Sequence, residues 1–316
     1  MKVRPILILI LIVLLQCSLN ACDLIKIKVT SQETIETYDE GTKLLEQKKY
    51  QDAYPLLLKT AEKGYAPAQN DLGWMYLNGL GIPQDTTKGM ELLRKAADQK
   101  EVMAYNNMGF AYFKGLGVEK NTAEAEKWFH KAADNGSAMG FYNLGILYRG
   151  DADTLKDLDK SLQYFKQAAE KGSGDAMSEL GLIYKEGNGV PKDLQQAIKW
   201  FEQSVEKNSE LGQANLGIMY YFGEGVEKNP DKALELLQTP ATNGTSVAQY
   251  FVALIYYDKK IYDKAAEWML KSAQQNYPPA VHDYGSLLIN GQGVPQNAEE
   301  GQKYHQKAKA LGYSRE

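Results

Sequence analysis

A short pattern returns along this chain at a nearly fixed interval, and that interval limits the fold more than any other feature. The pattern is a small residue, three others, an apolar residue, a glycine and then a tyrosine, as in Ala68, Leu72, Gly73 and Tyr76. It recurs as Ala104, Met108, Gly109, Tyr112 and as Ala176, Leu180, Gly181, Tyr184. With the glycine as ruler, the positions are Gly41, Gly73, Gly109, Gly145, Gly181, Gly217, Ala253 and Gly285, in steps of 36 residues with a step of 32 at each end. A period of this length marks stacked supersecondary units, none of which can bury its apolar face without a neighbour.

Within a unit, apolar residues at i, i+4 and i+8 predict a first helix from Ala68 to about Leu77, and Leu92, Leu93, Ala96 and Ala97 predict a second. Each unit therefore reads as a helical hairpin and the chain as all-α. Small residues at the Ala68 and Gly73 positions let helices approach closely, and the tyrosine fills the space between hairpins. The connections are Gly79-Leu80-Gly81-Ile82, Gly115-Leu116-Gly117-Val118, Gly187-Asn188-Gly189-Val190, Gly223-Glu224-Gly225-Val226 and Gly291-Gln292-Gly293-Val294. Glycine supplies the left-handed backbone that ends a helix. Three residues after the Ile or Val come Asp85, Asn121, Asp193, Asn229 and Asn297, which are expected to cap the second helix, with Glu124, Gln196 and Glu300 placed for a capping box. The second helix is expected to stop at Gly64, Gly136, Asn208, Gly244, Asn276 or Gly312. No Gly-Lys-Ser/Thr follows the glycine pair, so it does not read as a phosphate loop.

The Leu-Gly-x-x-Tyr, Gly-x-Gly-Val and Lys-Ala-Ala segments resemble the Sel-one-like repeat family, a branch of the tetratricopeptide-type solenoids, over residues of about 34–312. Two hairpins lack the glycine loop and read Lys49-Tyr50-Gln51-Asp52-Ala53 and Ile261-Tyr262-Asp263-Lys264-Ala265, closer to ordinary tetratricopeptide hairpins. The resemblance implies an α/α right-handed superhelical solenoid of about eight helical hairpins, and a role in holding protein partners together.

The N-terminus carries an address. Lys2 and Arg4 precede an apolar run over residues 5–15, which at ~1.5 Å per residue reaches only about 16 Å against a hydrocarbon core of ~30 Å. That is a signal-peptide core, too short to span. Leu19-Asn20-Ala21-Cys22 resembles a bacterial lipobox, in which the cysteine is lipidated and becomes the new N-terminus; Asn20 departs from the usual small residue. Residues 1–21 are thus read as signal, 22–33 as tether and 34–316 as solenoid. Asp23 resembles an inner-membrane retention signal, so the expected location is the periplasm, lipid-anchored to the inner membrane, with the outer membrane as alternative. Lys and Arg number 36 against 40 Asp and Glu, a net charge of −4, so there is no basic excess to neutralise phosphates and no nucleic-acid partner is expected.

Little chemistry is encoded. His130, His282 and His305 fall in different helices without ligand or triad spacing. Ser204-Val205-Glu206-Lys207 matches the Ser-x-x-Lys pattern of β-lactam chemistry, but Ser204 occupies the slot of Ala96, Ala132 and Ala168, so packing explains it. The acidic run over residues 151–159 reads as a solvated loop rather than a calcium site, with Asp157 needed as a cap. Trp128, Trp200 and Trp268 share a slot with Leu92, Tyr164 and Tyr304 and are expected in the core; Pro240 is expected to kink its helix. No cofactor, metal or enzymatic activity is expected.

In tetratricopeptide-type folds the first helices line a concave surface, and two positions seven apart would project there. These are Asn70 and Leu77, Asn106 and Phe113, Tyr142 and Arg149, Ser178 and Lys185, Ala214 and Tyr221, and Tyr250 and Tyr257. They vary among units where the packing slots repeat, as a surface reading one partner should. The expected function is a membrane-anchored scaffold that binds a protein or peptide. Two alternatives are an immunity protein neutralising a secreted toxic effector such as a phospholipase and, at a distance, a β-lactam or cell-wall hydrolase.

Overall fold

The computed structural model describes residues 31–150 and 155–313. Among these the chain is all-helical, in eight hairpins: α1 (Gln32–Glu46) with α2 (Tyr50–Glu62), α3 (Ala66–Asn78) with α4 (Thr86–Asp98), α5 (Val102–Lys114) with α6 (Thr122–Asp134), and α7 (Ala138–Tyr148) with α8 (Leu158–Glu170). They continue as α9 (Gly174–Glu186) with α10 (Leu194–Glu206), α11 (Glu210–Phe222) with α12 (Pro230–Thr242), α13 (Ser246–Asp258) with α14 (Tyr262–Gln274), and α15 (Pro278–Asn290) with α16 (Ala298–Ala310). The fold is an α/α solenoid and forms two compact units, divided between Ala96 and Ala97.

The repeat positions do what their spacing predicts. Asp85, Asn121, Asp193, Asn229 and Asn297 each accept, through the side chain, the backbone amide three residues on, at 2.9–3.0 Å. Asp157 does the same for Lys160 at 3.1 Å, so this part of the acidic run is a helix cap; residues 151–154 lie outside the described residues. Both glycines of every Gly-x-Gly loop have positive φ, as do Gly64, Gly136, Asn208, Gly244, Asn276 and Gly312. The second loop glycine has a further use that spacing alone did not show. A Cβ at Gly293 would fall 1.9 Å from the Tyr262 carbonyl oxygen, and one at Gly81 would fall 2.5 Å from Tyr50 Cβ. The bare backbone lets these two loops, and those of Gly189 and Gly225, rest on the second helix of the preceding hairpin.

The ruler glycine is explained by what faces it. Cβ atoms at Gly109, Gly145 and Gly181 would come within 2.5–2.6 Å of the rings of Phe129, Phe165 and Phe201, which sit twenty residues on and are buried. Leu93 and Leu237 hold the corresponding place opposite Gly73 and Gly217. Where the glycine loop is missing the offset shortens by four residues, to Gly41 with Leu57 and Ala253 with Met269, and the shorter loop accounts for the shorter register. Each buried ring or Leu contributes roughly 1.5–3 kcal/mol. The repeat tyrosine reaches backward between hairpins as expected: the Tyr76 and Tyr54 hydroxyls meet at 2.9 Å, and the Tyr148 hydroxyl donates to Glu126 of α6.

One expectation needs correction. Trp128, Trp200 and Trp268 are half-buried rather than core, because the fully enclosed position is the neighbouring Phe129, Phe201 or Met269. Lys131 and Lys271 lie over the rings of Trp128 and Trp268, 4.8 and 4.2 Å from their centroids. Pro240 lies inside α12, which runs on to Thr242. Pro240 stands close to the end of its helix, in the small buried slot of Ala132 and Ala168, so only one late helical bond is forgone.

Candidate partner-binding face

In the unit from Ala97 onward, first helices approach one another across hairpins: α5 touches α7, α9 touches α11 and α11 touches α13. They form the inner layer, and their solvent side is the inner face. On it Phe113, Tyr142, Arg149, Lys185 and Tyr221 are half-buried, and Tyr257 is 37% exposed.

The other chosen positions are closed, which corrects the expectation that they present a surface. Leu77 packs opposite Gly89 of α4 and is fully buried. Asn70 is buried and donates to Asp71 Oδ1 at 2.9 Å. Asn106 is buried and donates to Ser137 Oγ at 2.9 Å. Tyr250, only 5% exposed, donates to Asp283 Oδ2 at 2.9 Å. Ser178 and Ala214 are buried as well. A spacing of seven selects a side of a helix, but the packed partner helix and the next hairpin decide how much of that side is covered.

Four of the open positions are also tied down by partners in the next hairpin. Arg149 Nη1 donates to Glu179 Oε2 at 3.0 Å, and Lys185 Nζ lies 3.1 Å from Glu224 Oε2. The Tyr221 hydroxyl donates to Asp258 Oδ2 at 3.0 Å, and that of Tyr257 to Gln292 Oε1 at 3.3 Å. Tyr142 lies against Phe165, ring centroids 5.8 Å apart, and burial together with the nearby Glu179 and Asp175 carboxylates pushes its phenol well up from the ordinary tyrosine value. These residues therefore hold successive hairpins in register as well as facing solvent.

Sequence reasoning missed the most exposed aromatic residue of this face. Phe222 is 59% exposed and ends α11, at the place taken elsewhere by Asn78, Lys114, Glu186, Asp258 and Asn290. An apolar residue in a slot that is otherwise polar is a signal the repeat alignment contained. Phe222 meets Phe251 and Tyr221 edge to face, centroids 5.6 and 5.0 Å apart. Beside this cluster lies a cleft of about 340 Å³ lined by Leu254, Tyr257, Asp258, His282, Asp283, Ser286, Asn290 and Gln292.

Behind the cleft the last hairpin departs from the core pattern. His305 stands twenty residues after Gly285, in the position of Phe201. It stacks on His282 at 4.5 Å and meets Ser286 Oγ through Nε2 at 3.1 Å, while His282 Nδ1 meets Asp283 Oδ1 at 2.9 Å. Burial, and then the neighbouring His282, lower the His305 pKa. Among the described residues no cluster of three or more His, Cys, Asp or Glu is arranged to hold a metal ion. Ser204, of the Ser-x-x-Lys match, is fully buried and donates its hydroxyl to the Gly174 carbonyl at 2.6 Å, which is a packing role. Cys22 lies outside the described residues, and among those described no helix is long and apolar enough to cross a membrane.

Hairpins of this geometry, stacked with a Gly-x-Gly loop on one side and a close-packed glycine on the other, define a class of α/α repeat scaffolds. A family model described as the Sel1 repeat matches residues 66–101, 102–137, 142–173, 174–209, 211–244, 246–277 and 278–313, and the chain belongs to the Sel1 repeat family. The α1–α2 hairpin precedes the first matched repeat. Among solved structures, a Sel1 repeat protein from Oxalobacter formigenes is 27% identical, with 89% of this chain and 84% of that chain covered and a TM-score of 0.60. A protective antigen with an SLR fold from uropathogenic Escherichia coli is 28% identical over 89% of this chain and 69% of its own, with a TM-score of 0.49. Immunity protein Pa5087 from Pseudomonas aeruginosa is 21% identical over 71% and 83%, with a TM-score of 0.49. A search of curated proteins found no significant match. The Sel1 repeat solenoid is a scaffold suited to protein–protein interaction.

Proposed function

We propose that the protein is a lipid-anchored periplasmic scaffold that binds a protein or peptide on the inner face of its larger unit. One observation carries this reading. The packing slots repeat from hairpin to hairpin, whereas the inner-face positions that stay open change from Phe113 to Tyr142, Arg149, Lys185, Tyr221 and Tyr257. Tyr, Phe and Arg combine large contact area with directional polar groups, the profile of residues that dominate binding energy. The anchor belongs to the same proposal: lipid at Cys22, a location on the outer side of the inner membrane as Asp23 suggests, and no catalytic step.

Affinity capture after cross-linking in membranes tests it. The expected result is one co-purifying protein whose cross-links map to the inner face and whose recovery falls in Phe113→Ala/Tyr257→Ala. Cross-links confined to the opposite face would overturn the assignment. A captured secreted toxic effector would make this an immunity protein.

A further inference from the structure

Phe222, Tyr221 and Phe251 form an aromatic shelf, and its Tyr221 hydroxyl donates to Asp258, which lines the neighbouring cleft. Within that cleft the carboxylate of Asp283 accepts from Tyr250 and faces His282. The exposed ring of Tyr257 forms part of its wall. The lining thus offers the Asp258 and Asp283 carboxylates, the Tyr257 ring and the Asn290 amide, with Leu254, Met269 and Leu287 beneath them; it holds no lysine or arginine, and its His282 is turned to Asp283. An ionised carboxylate is acceptor-only and has lone pairs for several donors, so a tyrosine hydroxyl on Asp258 leaves capacity for more. An aromatic face attracts a cation, and an aromatic shelf excludes water from whatever lies on it.

From this geometry we infer that hairpins α11–α12 to α15–α16 hold a recognition site for a partner peptide in which an apolar side chain adjoins an arginine or lysine. The apolar group covers Phe222, and the cation enters the cleft between Asp258 and Tyr257. The charge of the lining selects the class of occupant: an acidic or purely apolar segment would bring no compensation to the exposed Asp258 carboxylate. On the shelf side Lys228 lies over the Tyr221 ring at 5.5 Å, outside the cleft lining. The inference rests on the proposed binding role of the inner face and adds its chemistry.

The test uses the full chain and fluorescein-labelled acetylated tetrapeptides in which Phe or Leu is followed by Arg, Lys, Gln or Glu, read by anisotropy. The Arg and Lys peptides are expected to bind at least about ten-fold more tightly than the Gln and Glu peptides. Asp258→Asn and Phe222→Ser, both at exposed positions, should each weaken them about ten-fold while leaving the melting curve in place. Equal binding of all four peptides, or unchanged affinity in both variants, would sink the inference. If peptides of another composition bind, and Phe113→Ala weakens them, the inner face keeps its role and only this site's chemistry is wrong. If no tetrapeptide binds, the inference fails, and membrane capture decides the broader role by itself.

Discussion

Gly181 has no space for a side chain, since a Cβ there would lie 2.5 Å from Phe201. Gly181→Ala should therefore cost ~1–3 kcal/mol and Gly181→Val more, because the ring cannot retreat within a close-packed layer. The chain contains its own remedy in Ala253, which shares its register with the unbranched Met269. Adding Phe201→Met to Gly181→Ala should recover part of the loss in chemical denaturation; a double variant as weak as the sum of its parts would show that the ring is not the obstacle. Tyr250 gives a second residue-level expectation. As a buried side chain bonded to Asp283, it should cost stability when cut to alanine, roughly 3–5 kcal/mol, and Tyr250→Phe only ~0.5–1.5 kcal/mol. Sequence reasoning had placed Tyr250 on the binding surface, because nothing local reveals that Asp283, 33 residues on, closes over it.

The terminal hairpin, α15 with α16, is where one element behaves unlike its counterparts. His305 fills a slot that elsewhere holds Phe, Leu or Met, and its pKa lies below the ordinary imidazole value of 6.5. Below that pH the unfolded chain binds a proton that the folded hairpin resists. Stability should accordingly fall as pH drops through about 6.5, and level off once the folded form is protonated too. His305→Phe should remove that contribution. Hydrogen exchange of the α16 amides at about pH 7.5 and about pH 5 checks it, and equal pH slopes in the two proteins would argue against it. The cap of the same helix supplies a comparison: Asn297→Ala loses the bond to the Glu300 amide and should cost about 1 kcal/mol at either pH. Helix limits and caps were legible in the sequence because each depends on residues within four positions.

At the scale of the whole molecule, stability is distributed, since within each unit a hairpin rests on its neighbours. The sequence contains two cysteines, Cys17 and Cys22, both in the N-terminal segment, so helicity and melting should not respond to reductant. Chelator should be equally without effect, and a loss of helicity in EDTA would turn the acidic run around Asp157 into a cation site. Processing is tested by metabolic fatty-acid labelling: the label should vanish in Cys22→Ser, and fractionation to the outer membrane would overturn the location suggested by Asp23. The fold was legible at this scale because the 36-residue period states the stacking directly. The binding face was legible only as a set of helix sides.

What the sequence determined by itself are the features enforced by near neighbours along the chain: the hairpins, their caps and their left-handed turns. Even the two shortened units declare themselves, through a register shift of four residues. Tertiary structure decided which inner-face side chains stay open. Arg149 with Glu179, Tyr221 with Asp258 and Tyr250 with Asp283 are pairs 30–37 residues apart. Whether such a residue is covered depends on the approach of the next hairpin, which no spacing within a helix records. Phe222 stays open for the same reason: Phe251 of the following hairpin meets it on one side only and leaves the ring 59% exposed.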